Sequence, residues 1–188
     1  MENKLQWEFG IPLKNVGSID AFEDKVGFRF PQSFRELVIA NNAGYPNKDV
    51  FDTDNEEGRT FHSLLSFNRE DKDNIFDYYD WSTEDFEELG WQYIEFASSC
   101  FGDPIAFDPR TGHIIFVDHE TLNTELIAET FDEFLENLYD YDEREAILRD
   151  SPAIFSVPLP TQPVQDPTGQ NAEKKPGFRF PFFGKRDK

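Results

Sequence analysis

The chain has 188 residues, of which 38 are acidic and 18 basic, so its formal net charge is −20. Such a charge repels phosphate groups and therefore argues against direct binding of DNA or RNA and against attachment to an anionic membrane. It favours a basic partner instead. The length predicts one domain, large enough to bury a core without disulfides.

The charge divides the chain into two unequal parts. Residues 1–150 contain 35 acids and 12 bases, a net charge of −23, whereas residues 151–188 contain three acids and six bases, a net charge of +3. Seven of the 12 prolines fall between 152 and 181, and no hydrophobic period survives there. Residues 1–150 are therefore predicted to form the domain, and 151–188 a Pro/Phe-rich basic tail that is disordered or loosely docked.

Cysteine use and hydropathy predict a soluble, cytoplasmic protein. Cys100 is alone, so no intrachain disulfide can form, which fits a reducing compartment. We expect it to be a small, buried apolar side chain. The N-terminus lacks a signal-peptide pattern, and no apolar run approaches the length of a membrane span.

Two helices are predicted near the N-terminus. The first extends from Ser18, a suitable N-cap, to Gly27, a frequent C-terminal stop. The second ends at Asn41 and begins either at Pro31, which suits a first helical turn, or at a capping box that starts with Ser33. The 21 phenylalanines exceed the 12 leucines, and we expect about two thirds of them to pack in the core.

Short apolar runs bounded by polar turns predict strands, at residues 50–51, 60–67, 93–97, 105–107, 114–117 and 125–128. The first two are joined by a hairpin-like connection, and residues 108–112 form a tight turn. Further helices are predicted at 73–80 and 83–89. The last large helix is predicted to begin with a capping box at Thr130 and Glu133, and residues 140–150 extend it or form a second short helix.

Motifs for catalysis and metal binding are weak. The chain contains no nucleophile elbow, P-loop or dinucleotide-binding glycine pattern. His113 and His119 are expected to be hydrogen-bonded or exposed side chains and not metal ligands. Residues 52–58 resemble the start of a calcium loop but have Glu57 where that loop needs glycine. The sequence therefore predicts no catalytic residue, no metal site, no cofactor and a protein that is not an enzyme.

The densest acidic stretch is residues 71–96, where nine acids and one base alternate with eight aromatic residues. Tyrosine and tryptophan are typical interface anchors, while surrounding charges set the association rate and the choice of partner. An ordinary aromatic core under a solvated acidic face explains the pattern equally well. The predicted partner-binding residues are Asp73, Asp77, Tyr78, Tyr79, Asp80, Trp81, Glu84, Asp85, Glu87 and Glu88.

An ordered set of residues over about 16–140 resembles the SUKH superfamily, the Smi/Knr-like domain, in its bacterial immunity-protein type. The N-terminal part of the set is Ile19, Phe22, Glu23, Gly27, Pro31, Phe34, Leu37, Asn42, Gly44 and Pro46. The later part is Gly102, Asp103, Phe107, Asp108, Gly112, residues 114–117, Asp118, His119, Thr130, Phe131, Phe134 and Leu135. Two positions depart from the pattern: Phe30 replaces a leucine, and Ala43 replaces a glycine in the turn.

The resemblance implies an α+β fold in which helices pack against a mixed or antiparallel sheet. It also implies a single protein-binding domain without catalytic residues. Bacterial members are mostly immunity proteins, each of which neutralises a cognate secreted toxin, often a nuclease, delivered by contact-dependent or other polymorphic systems. Fungal members are regulatory proteins linked to cell-wall synthesis and signalling.

Three functions follow as alternatives. The first is an immunity protein that binds a toxin with a basic surface, with the domain's carboxylates standing in for phosphates. The second is a SUKH-type regulatory or interaction module without a toxin partner. The third is a carboxylate- or metal-dependent hydrolase, because 38 acids will place some pair at catalytic distance by chance.

Overall fold

Four helices and nine strands form the part of the chain that a computed structural model describes, namely residues 4–83, 89–142 and 144. The helices are α1 (Gly17–Val26), α2 (Gln32–Asn41), α3 (Ile75–Trp81) and α4 (Phe131–Asn137). The strands are β1 (Trp7–Glu8), β2 (Tyr45–Pro46), β3 (Val50–Phe51), β4 (Arg59–Thr60), β5 (Ser63–Leu64), β6 (Ile94–Ser98), β7 (Pro104–Phe107), β8 (Ile114–Val117) and β9 (Thr124–Ala128). The predicted α+β class is confirmed.

The main sheet has five strands in the order β5-β6-β7-β8-β9, and every neighbouring pair is antiparallel. Two small antiparallel pairs, β1 with β2 and β3 with β4, accompany it. The backbone N–H of Leu64 donates to the carbonyl of Gly44 at 3.0 Å, which joins the β1–β2 pair to the edge of the main sheet.

Phenylalanine fills the core between the sheet and the helices. Among the described residues, twelve Phe side chains are buried, and they come from the four helices, from strands β3, β6, β7 and β8, and from the loops that hold Phe30, Phe61 and Phe67. Phe34 of α2 lies at the centre, since its ring is within 5.5 Å, centroid to centroid, of the rings of Phe30, Phe96, Phe107 and Phe131. Aromatic pairs at these distances add to the free energy gained from burial alone.

Long-range contacts close the domain at both ends. Val50 and Tyr139 exchange two backbone hydrogen bonds of 3.1 and 3.0 Å. Near the N-terminus, the ring of Trp7 packs edge-on against Phe61 with centroids 5.8 Å apart. The residues around positions 7 and 139 are therefore part of the folded unit.

The structure corrects three local predictions. Ser18 does not cap α1, because the helix begins one residue earlier and the Asn15 side chain accepts from the Gly17 N–H instead. Ser33 forms no capping box, and its buried hydroxyl has no hydrogen-bond partner among the described residues. Residues 60–67 are not one strand, since β4 pairs with β3 and β5 pairs with β6.

Other local predictions are confirmed. Gly27 ends α1 in a left-handed conformation with φ +70°. Thr130 caps α4 by accepting a hydrogen bond from the Glu133 N–H at 3.1 Å. Strand β8 has the predicted bounds. The predicted helices at 83–89 and 140–150 and the predicted tail at 151–188 lie wholly or largely outside the described residues.

The predicted burial of Cys100 is wrong. The residue is exposed, not buried, and lies in the turn between β6 and β7. The turn is built by Ser99, whose hydroxyl oxygen accepts hydrogen bonds from the N–H groups of Phe101 and Asp103. This polar turn directs the residues between its ends towards solvent.

Candidate partner-binding surface

Helix α3 carries most of the described residues predicted to bind a partner. Its N-cap is Asn74, whose side-chain oxygen accepts from the N–H groups of Phe76 and Asp77 at 3.2 and 3.0 Å. Ile75 and Phe76 are buried in the core. These contacts fix the position of the opposite, outward side of the helix.

Three of the predicted residues have contacts within the domain. Asp77 accepts a hydrogen bond from the Asn74 amide at 2.8 Å. Asp80 forms an ion pair with Lys25 of α1. Tyr79 is half-buried against Phe22, with ring centroids 5.7 Å apart. Asp77 therefore stabilises the start of α3, whereas Tyr79 and Asp80 contribute to the packing of α3 against α1.

The other three form a surface that we call the α3 surface, made of Asp73, Tyr78 and Trp81. The rings of Tyr78 and Trp81 lie 5.2 Å apart, and Trp81 is 62% exposed. The Tyr78 hydroxyl donates to Asp73 Oδ1 at 3.3 Å. The α3 surface therefore combines a large exposed ring, a second ring that supports it and a carboxylate.

Tyr78 stays protonated at neutral pH. Burial raises its pKa to about 12, and the negative charges of Asp73 and Glu95 contribute to the same shift. The hydroxyl is therefore a permanent donor that orients the tyrosine ring beside Trp81. The remaining predicted residues, Glu84, Asp85, Glu87 and Glu88, lie outside the described residues.

Sequence reasoning did not select two strongly exposed aromatic side chains. Phe9 is 79% exposed and Phe101 is 80% exposed. Each directly precedes a glycine, Gly10 and Gly102. The glycine that follows each of them is a turn signal that the sequence offers.

The hydrolase alternative finds no support in a linked set of described residues, Ser99, Asp103 and His119, that resembles a catalytic triad. Ser99 Oγ donates to Asp103 Oδ2 at 2.9 Å, and His119 Nδ1 lies 2.6 Å from Asp103 Oδ1. The protonated imidazole of His119 donates a hydrogen bond to the Asp103 carboxylate, which raises the pKa of His119. A serine nucleophile requires the histidine as its direct partner, whereas here the aspartate lies between them.

The calcium-like stretch is also explained by contacts within the fold. Asp52 accepts from the Gly58 N–H, the Tyr139 hydroxyl and Arg144. Burial by itself raises the pKa of Asp52, but these hydrogen bonds and the Arg144 charge lower it by more, so the pKa lies below its ordinary value. Within residues 4–83, 89–142 and 144, no three His, Cys, Asp or Glu side chains are placed to hold a metal ion.

The chain matches the model of the SMI1 / KNR4 family (SUKH-1) over residues 16–137, which is more than half of its length. It belongs to this family. Comparisons with curated proteins and with solved structures give no significant match. Among the described residues, no helix is long and apolar enough to span a membrane.

The SMI1/KNR4 match places the α3 surface inside the family domain. The matched range extends from the residue before α1 to the last residue of α4, so it contains all four described helices and strands β2 to β9. Strand β1, Phe9 and Tyr139 lie outside it. The exposed Phe9 ring is therefore a feature of this chain beyond the matched region.

Proposed function

We propose that this SMI1/KNR4 member is an immunity protein, which binds and neutralises a cognate bacterial toxin with a basic surface. Family membership is the first support, because the bacterial members of the wider SUKH superfamily are mostly immunity proteins. The observation that carries the proposal is the α3 surface, where an exposed tryptophan packs against a tyrosine whose hydroxyl donates to a carboxylate. The toxin contact is assigned to this surface and to the acidic residues that follow it in the sequence.

The charge of the domain supports the choice of a basic partner. Residues 1–150 carry a net charge of −23. A nuclease toxin must bind polyanions and therefore has a basic cleft. Attraction between the two raises association rates to about 10⁸–10⁹ M⁻¹s⁻¹ at low salt, and salt screens the effect.

The aromatic pair supplies what charge alone does not, namely slow dissociation. Interface energy concentrates in a few Trp, Tyr and Arg side chains near the centre of the contact. Trp81 offers a large exposed ring, and the hydrogen bond from Tyr78 to Asp73 restrains the ring beside it. A restrained anchor loses less conformational entropy on binding, which favours affinity.

The test is co-expression with the product of the neighbouring open reading frame. We expect the protein to rescue cells from the toxicity of that product and to co-purify with it. Trp81→Ala should weaken the complex about tenfold or more, as truncation of a central interface anchor does. Ile39→Ala is the matched control, because Ile39 is an apolar side chain of α2 that is 45% exposed and lies outside the α3 surface.

Three results would contradict parts of the proposal. Absence of both rescue and co-purification would contradict the immunity function. Co-purification with a partner that is not toxic would favour a regulatory or interaction module. An association rate that does not change between low and high salt would contradict the electrostatic contribution.

A further inference from the structure

Three aromatic side chains from separate parts of the chain meet at the surface where β1, β2 and the start of β5 come together. We call Phe9, Tyr45 and His62 the aromatic row. The Phe9 ring lies edge-on to Tyr45 with centroids 6.1 Å apart, and Tyr45 lies edge-on to His62 at 5.0 Å. Both contacts have interplanar angles above 80°, the T-shaped geometry that aromatic pairs prefer.

The backbone of Phe9 is strained. Its φ is +55°, in the left-handed region that a bulky side chain avoids because the β-carbon approaches the following carbonyl. Strained residues of this kind persist where the surroundings hold them, and they cluster at functional sites. Asn42 provides part of that support, since its carbonyl accepts from the Ile11 N–H at 2.8 Å.

The exposed Phe9 ring contributes little to the stability of the fold. Phe9 is 79% exposed, so most of its apolar surface stays in water. A glycine at this position would relieve the strain and would lose the ring contact with Tyr45. Since neither the backbone nor the burial accounts for a phenylalanine here, we infer that the aromatic row is a contact surface for another molecule.

Charge identifies the kind of partner. Glu8 is exposed and lies directly opposite Tyr45 in the β1–β2 pair. Arginine and lysine side chains bind over aromatic faces, and neighbouring carboxylates strengthen that contact.

We propose that the aromatic row binds a basic protein partner, whose arginine or lysine side chains lie across the Phe9 and Tyr45 rings. This inference rests on the proposed function, because it takes the basic toxin as the occupant. It adds a second contact surface to the α3 surface, and it predicts that each surface contributes separately to the affinity.

Phe9→Gly separates binding from folding, because it removes the ring and at the same time suits the positive φ. The variant is tested by titration calorimetry against the product of the neighbouring reading frame, with Phe9→Asn as a second variant that also tolerates this φ. We expect at least tenfold weaker binding for both, with an unchanged or raised melting temperature. Ala43→Gly is the control. Ala43 has φ +57°, so this substitution relieves a similar backbone strain without the loss of a ring.

The outcomes distinguish this inference from the proposed function. If the wild-type protein rescues cells and Phe9→Gly binds as tightly as Ala43→Gly, the aromatic row is not a contact surface, although the immunity function stands. If the wild-type protein does not rescue, the immunity function fails. A photo-crosslinking residue at position 9, compared with one at position 39, then decides with a synthetic arginine-rich peptide as the probe: a crosslink to the peptide from position 9 alone supports the row, and none overturns it.

Discussion

Glu23 accepts a hydrogen bond from the backbone N–H of Phe30 at 3.0 Å, so a carboxylate of α1 holds the connection to α2. The side chain is almost fully buried, and its other oxygen contacts Arg35 at 2.7 Å and Arg29 at 2.9 Å. These residues lie in the stretch that resembles the family signature. The glutamate therefore has a structural role, which is to fix the angle between the first two helices.

Glu23 makes stability depend on pH. Burial raises its pKa, but hydrogen bonds from Arg35, Arg29 and Phe30 lower it more, so the pKa in the folded protein lies below the ordinary value of 4.5. The stabilisation is therefore complete above about pH 4.5 and is lost as the pH falls through the folded-state pKa. We expect Glu23→Gln to lose about 2 kcal/mol at pH 7 and less at pH 4, measured by urea unfolding.

The control for Glu23 is its neighbour. Asp24 also contacts Arg29, but both side chains are mostly exposed. Asp24→Asn should therefore change stability little at either pH. Equal losses for the two variants would show that general charge, and not the buried network, determines the effect.

In the turn after α2, two neighbouring substitutions should change stability in opposite directions. Ala43 has φ +57°, where the family pattern has glycine, so Ala43→Gly should raise stability by about 1 kcal/mol. At Gly44 an added β-carbon would lie 2.9 Å from the carbonyl oxygen of Asn41, so Gly44→Ala should lower stability. Thermal unfolding of the two variants checks both signs, and a lower melting temperature for Ala43→Gly would contradict the strain assigned to this residue.

The phenylalanine core is expected to be intolerant of truncation at its centre. Phe34→Ala should lower the free energy of unfolding by about 4 kcal/mol, because it leaves a cavity among four neighbouring rings. Phe101→Ala removes the same atoms from a side chain that is 80% exposed and should change it by less than about 0.5 kcal/mol. Similar losses in denaturant unfolding would be inconsistent with the described core.

Cys100 should react in the native protein. Because its side chain is exposed in the β6–β7 turn, we expect a thiol reagent to modify one group per chain without denaturant. The rate should be close to that in the unfolded chain. Protection of the thiol until the protein unfolds would instead support the burial predicted from sequence.

The elements that sequence predicted well are those with local causes. The Thr130 cap, the Gly27 stop and strand β8 follow from neighbours in the chain. The division of residues 60–67 does not, because an apolar run shows that a segment is buried but not which strand it pairs with. Cys100 was misjudged because residue type outweighed the polar turn around it.

Only part of the α3 surface could be selected from sequence, because only part of it depends on neighbours in the chain. Aromatic and acidic residues alternate along one stretch of sequence, so Tyr78 and Trp81 could be selected as a group. Whether Asp80 pairs with Lys25, 55 positions away, depends on how α1 packs on α3. The aromatic row could not be selected, because Phe9, Tyr45 and His62 become neighbours only when β1, β2 and β5 assemble.

The hydrogen bonds between Val50 and Tyr139 bear on how the protein should be cut and how it is made. A fragment trimmed to the family match at residues 16–137 loses Tyr139 and also the Trp7 ring that packs on Phe61. We therefore expect such a fragment to unfold more readily than residues 4–144. On the ribosome, Val50 of β3 has to wait for its second partner, Tyr139, which is synthesised almost 90 residues later, so the domain completes its fold only when nearly all of it has emerged.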